Sequence, residues 1–144
     1  MYVENILRNK GSAVVTARQS QTLQQIAKLI ADHRIGAVVV VDAAGAPLGI
    51  VSERDIVNAL AAFGASVLEM PAGQVMSRGL LTCTLDQTAD DLLGIMTASR
   101  VRHLPVVEEG RLLGIVSIGD VVKLKLDDAA AEVGLLRDYV MAGR

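Results

Sequence analysis

Along this chain the apolar positions switch between helical and strand-like spacing, and the same series of switches occurs twice. Val3, Ile6 and Leu7 share one side of a short helix, Val3 to Arg8, which Gly11 ends. Ala13 to Thr16 reads as a short strand. Leu23, Ile26, Ala27 and Ile30 recur at helical spacing behind Thr22, and Thr22 with Gln25 has the form of a capping box. Ala37 to Val41 is apolar throughout and rich in β-branched residues, the pattern of a strand buried on both faces. Asp42 to Pro47 makes a turn at Gly45. Leu48 to Val51 is the pairing strand, and Ser52 starts a helix that ends near Phe63.

Gly64 to Gly73 reads as an ordered connector, after which Gln74 to Met76 echoes Ile6 and Leu7. Leu80 to Cys83 is expected to be a strand. Thr88 and Asp91 form a second capping box ahead of a helix to Arg100, with Leu92, Ile95, Met96 and Ser99 inward. Leu104 to Val107 and Leu112 to Val116 are strands around a Glu109-Gly110 turn. Ile118 to Leu126 is a helix, and Asp127 to Met141 reads as a separate amphipathic one. The expected fold is α/β (α+β), with two pseudo-symmetric β-α-β-β-α units. The expected bounds are unit one at 1–63, connector at 64–73, unit two at 74–126 and a terminal helix at 127–144.

The two halves also share words. Residues 48–57 read LGIVSERDIV and residues 113–122 read LGIVSIGDVV. Thr22 to Val57 aligns with Thr88 to Val122 with one gap near Ala44, which pairs Arg34 with Arg100 and Thr16 with Thr82. A period of roughly 65 residues exceeds the roughly 20–50 of solenoids, and two copies are too few for one. Duplication of a half-domain fits.

Composition narrows the function. Hydrophobic residues make up 51% of the 144, but aromatics only 2%, so Ala, Val, Leu and Ile must fill the core and no base-stacking platform is available. The net charge is −2 with signs interspersed, which argues against nucleic acid as a partner. Cys83 is the only cysteine, so no disulfide within the chain is possible, and it is expected to be a buried filler. The first residues lack the apolar stretch of a secretory leader, and no apolar run approaches the ~18 residues of a membrane helix. A cytoplasmic location is expected.

The order of elements, with Gly-apolar-apolar-Ser-x-x-Asp closing each unit, resembles the CBS domain, named from cystathionine β-synthase. The second unit also carries the family's apolar-Pro-Val-Val element in Leu104-Pro105-Val106-Val107, where the first has Val39 in place of Pro105. The resemblance spans Val3 to Leu126 and implies a stand-alone CBS pair. Such a pair is a regulatory module that binds an adenine nucleotide in the clefts between its units: AMP foremost, then ADP, ATP or NAD(H), with S-adenosylmethionine also in the family's range. It also implies a homodimer through the surfaces around Ala59 to Phe63 and Val121 to Leu126, and an unidentified protein partner.

The residues suit that ligand. An ionised Asp55 can accept hydrogen bonds from both hydroxyls of a ribose, and Ser52 sits at a helix start where free amides favour phosphate. Ser117 and Asp120 repeat the pair. Ser-x-x-Asp is equally a capping box, and the two readings are not exclusive. The resemblance places Thr16 and Thr82 near ribose-phosphate. It also places Ala37 and Val38, and His103, Leu104 and Pro105, beside the adenine. Charge is unequal between the halves: Arg54 faces Gly119 in the alignment, and Arg102-His103 faces Gly36-Ala37. Arg54 is therefore expected to bind phosphate in the first cleft, and Arg102 or His103 in the second. Lys10 and Arg78 are within reach of a phosphate, but neither is assigned to one. No metal site, P-loop or dinucleotide glycine motif is present in the sequence. No catalytic activity is expected. The alternative is a structural dimerisation or docking module with unused clefts.

Overall fold

The computed structural model describes residues 1–11 and 13–143. In chain order the elements are α1 (Val3–Lys10), β1 (Thr16–Ala17), α2 (Leu23–His33), β2 (Ala37–Val41), β3 (Pro47–Ser52) and α3 (Glu53–Phe63). A 3-10 turn (Ala65–Glu69) then leads to α4 (Ala72–Val75), α5 (Ala89–Ser99), β4 (His103–Glu108), β5 (Arg111–Ser117) and α6 (Ile118–Ala142). The first unit holds a three-stranded sheet in the order β1-β2-β3, and the second a two-stranded sheet, β4-β5. In each, the central strand runs antiparallel to the next, with Ala37 opposite Ser52 and His103 opposite Ser117.

Each core is completed from the other half of the chain. Val3, Ile6 and Leu7 of α1 are buried with Leu92, Leu104, Val116 and Leu124 of the second unit. Conversely Val67, Ala72 and Met76 are buried with Leu23, Ile26, Val38 and Val51 of the first. Backbone bonds fix both exchanges: the Val3 amide donates to the Gln87 carbonyl (2.9 Å), and the Ala72 amide to that of Gln21 (2.7 Å). Leu7 lies over Gly114 as Met76 lies over Gly49. Burying an aliphatic side chain of this size contributes about 1.5–3 kcal/mol, so α1 is held mainly by its three apolar contacts. The segment 64–73 is thus part of the first core.

Four local expectations need correction. The strand expected at Ala13 to Thr16 is confined to Thr16–Ala17. Leu80 to Cys83 is not a strand: only Cys83 bridges, its amide donating to the Pro105 carbonyl (2.9 Å) and its carbonyl accepting from the Val107 amide (3.0 Å). The next parallel rung, toward Leu81, requires an amide hydrogen at Pro105, which has none. The break expected at Asp127 is absent, and α6 runs unbroken for 25 residues. Ala129, Ala130 and Ala131 follow the acidic pair there, and alanine is the strongest helix former. On α5, Leu92 and Met96 are buried and Ile95 partly so, but Ser99, in the last turn, is exposed.

Two outcomes test this packing. A Cβ at Gly49 would meet Met76 Sδ at 2.6 Å and the Ser77 carbonyl oxygen at 2.8 Å, whereas one at Gly114 would meet only the Leu7 side chain, nearest at 2.6 Å. Gly49→Ala should therefore cost about 1–3 kcal/mol in urea unfolding, and more than Gly114→Ala, since backbone cannot yield as a side chain can. Cys83 is 1% exposed, and burial pushes its thiol up to about 12. A thiol reagent at pH 8 should label it in denaturant and leave the folded chain unlabelled.

Candidate functional site

The turn from the last strand of each unit into the following helix has the same construction twice. Ser52 is extended (φ −102°, ψ 165°) and caps α3. Its Oγ accepts from the Asp55 amide (3.2 Å), and its own amide donates to Asp55 Oδ2 (2.9 Å). Ser117 caps α6 in the same way, with 3.1 Å and 2.9 Å to Asp120. The capping reading of Ser-x-x-Asp is therefore realised in both copies. Each box uses Oδ2, so Oδ1 keeps its capacity to accept. A further backbone bond ties each helix start to the residue ahead of the central strand: the Glu53 amide donates to the Gly36 carbonyl (3.0 Å), and Ile118 to Arg102 (2.8 Å).

A cavity of about 760 Å³ opens at the start of α3. Ser52, Arg54 and Asp55 line one side, and Arg100, Arg102, His103 and Pro105 of the second unit line the other. Ser77, Gly79, Leu80 and Leu81, between α4 and α5, complete the wall. Arg102 and His103 thus stand in the same cavity as Arg54, not in a separate second cleft as the sequence suggested. The reason lies at Gly36. His103 is paired through its backbone with Ser117, but its side chain crosses to the first unit, where Nε2 would lie 2.7 Å from a Cβ on Gly36. Only glycine leaves that space.

The other expected residues are dispersed. Thr16 and Thr82 are exposed, and neither lines the cavity. Ala37, Val38 and Leu104 are buried in the sheets. Ser117 and Asp120 lie outside the cavity, where Lys10 donates to Asp120 Oδ2 at 2.7 Å. Glu53 and Arg100 were not singled out in the sequence. Arg100 ends α5 in the left-handed conformation (φ 54°), as Arg34 ends α2, so its match with Arg34 in the repeat was the available signal.

Electrostatics follow the packing. Burial pushes the His103 imidazole below its ordinary value, against the pull of the Glu53 carboxylate, and the nearby Lys10 ammonium adds to the lowering. Burial by itself would raise the Asp120 carboxyl, but the Lys10 ammonium and the Ser117 amide outweigh it and hold it below the usual range. Among the described residues no cluster of His, Cys, Asp and Glu is suited to hold a metal, and no helix is long and apolar enough to cross a membrane.

Two duplicated units with matching Ser-x-x-Asp turns, around a cavity walled by both, define a paired two-unit module. The family model of the CBS domain matches residues 5–62 and again 72–127, and the chain belongs to the CBS domain family. The fold superposes on a CBS-domain-containing protein of Agrobacterium tumefaciens with a TM-score of 0.84 and 45% identity, over 87% of this chain and 99% of that one. It also superposes on the CBS domain pair of protein MJ0100, solved with 5-methylthioadenosine and S-adenosyl-L-methionine. That match has a TM-score of 0.79 and 26% identity, over 89% of this chain and 98% of the other. An uncharacterised protein of Methanopyrus kandleri is 32% identical over 78% of this chain, which spans only 58% of that relative's length.

The lowered His103 value has a pH signature. The unfolded imidazole takes up its proton near 6.5, the folded one only at lower pH. Across that interval the unfolded chain binds more protons, so stability falls as pH drops below about 6.5. In His103→Gln the loss in urea-unfolding free energy from pH 7.5 to pH 5.5 should be smaller than in the wild type.

Proposed function

We propose that this chain is a regulatory module whose first cleft binds an adenine nucleotide. The observation that carries the reading is the convergence of Arg54, Arg100, Arg102 and His103 on the cavity that opens at Ser52 and Asp55. Asp55 is suited to ribose hydroxyls, and the Arg54 amide at the start of α3, with the guanidinium groups, to phosphate. The bound adenosyl ligands of the MJ0100 pair support the adenosine part. The cationic lining favours a phosphorylated adenosine over the sulfonium of S-adenosylmethionine. AMP is the first choice, with ADP, ATP and NAD(H) next.

The signal would arise because both units wall the cavity. A ligand that bridges Asp55 and Arg102 favours the arrangement of units in which both contacts fit, and it shifts the population by its difference in affinity between arrangements. The module would act in the cytoplasm, as a homodimer that presents this change to a protein partner. Of the expected dimer surfaces, Ala59, Val121 and Leu124 are buried within the chain, which leaves Phe63, Val122 and Leu126 exposed. The exposed Leu135, Leu136 and Tyr139 on α6 favour the second reading, a docking module with unused clefts.

Thermal and urea unfolding with AMP, ADP, ATP, NAD⁺, NADH and S-adenosylmethionine separates the two. A nucleotide at 100 times its Kd should add about 2.7 kcal/mol. Asp55→Asn and Arg102→Ala should each weaken binding about tenfold or more, as expected for loss of a charged hydrogen bond of about 1.5–3 kcal/mol. No stabilisation by any of the six would leave the docking module.

A further inference from the structure

The two clefts differ in what the chain itself has put into them. The docked helices set the correspondence. Val3 and Ala72 make matching amide bonds, and Leu7 and Met76 cover matching glycines. Three residues after Leu7 comes Lys10, and three after Met76 comes Gly79. In the first unit the Ile50 carbonyl accepts from the Ser77 amide (3.0 Å). Its counterpart Ile115 accepts instead from Lys10 Nζ (3.0 Å), and the same ammonium reaches Asp120 Oδ2 at 2.7 Å. Gly79 lines the open cavity around Asp55, whereas Asp120 lies outside that cavity with its side chain only 24% exposed. The second cleft also has fewer phosphate-binding cations, since only Arg100 has a matching arginine, Arg34. Gly119 stands where the first unit has Arg54, and Gly36 and Ala37 stand where the second has Arg102 and His103.

We infer that Lys10 is a resident ammonium that competes with a ligand for the Asp120 carboxylate, so the chain takes one nucleotide, in the first cleft, and the second cleft is blocked by its own N-terminal segment. The inference rests on the nucleotide reading of the first cleft. A ribose entering the second must compete for Asp120 with an ammonium at 2.7 Å on Oδ2, which also accepts from the Ser117 amide, and has only Arg34 to match the three guanidinium groups of the first cleft. The first cleft asks for no such exchange.

Titration calorimetry of the full chain with AMP and with ATP tests this. The proteins needed are the wild type, Lys10→Met, Lys10→Arg, Asp55→Asn and the double variant Lys10→Met/Asp55→Asn, each checked for folding by circular dichroism. The wild type and Lys10→Arg should bind one nucleotide per chain, and Asp55→Asn should lose that site by tenfold or more. Lys10→Met should gain a second, weaker site, which the double variant retains alone. Two sites in the wild type, or one in Lys10→Met, would overturn the role of Lys10 and leave the first cleft's function standing. Binding by Lys10→Met with none by the wild type would do the reverse. No binding by any variant would overturn both.

Discussion

Everything at the site depends on the exchange of helices between the two halves. Neither sheet closes its own core: α1 covers the second and α4 the first. Because each covering helix must return to its own unit, the chain after it crosses the mouth of the opposite cleft. That crossing brings Ser77 to Leu81 into the wall of the first cavity and carries Lys10 to Asp120. The cleft walls follow directly from hydrophobic closure, and an insertion or deletion between α1 and β1 would alter a binding surface before it altered a core.

Duplication supplies a two-fold plan, and a few residues break it. The boxes at Ser52 and Ser117 are superimposable in their hydrogen bonds, since each needs only a strand end, a hydroxyl and a carboxylate at the right spacing. Around the cavity, departures come from side chains that meet at the junction of the units. Gly36 leaves a gap that the His103 imidazole fills, and where one copy has Gly79 the other has Lys10, which reaches to the carboxylate. At Gly36 a small residue on one side licenses a large one on the other.

Most of the fold was legible because period and capping act locally. Ala37–Val41, the Thr22 and Thr88 caps, and both Ser-x-x-Asp helix starts stand where the pattern puts them. What was not legible is long-range. The Leu80 to Cys83 strand failed because of Pro105, some two dozen residues away, and the turn of the His103 side chain into the first cavity depends on Gly36 in the other unit. Side-chain direction at the start of β4 is a property of the junction, and no window of sequence contains both of its sides. The length of α6 was missed for the opposite reason: an acidic pair resembles a new helix start, and only the lack of a glycine or proline ahead of it indicated continuity.

That continuity has a mechanical consequence. α6 begins at the Ser117 cap, beside the second cleft, and runs 25 residues to Ala142. At 1.5 Å per residue it is a rod of about 37 Å. Its first turns are anchored by Val121 and Leu124 in the core, while its last turns carry exposed Leu135, Leu136 and Tyr139. A tilt of ~5° at the anchored end would sweep the far end through roughly 3 Å for that length. A change too small to rearrange the core would thus become, at the tip, a displacement comparable to the separation of two atoms in a hydrogen bond.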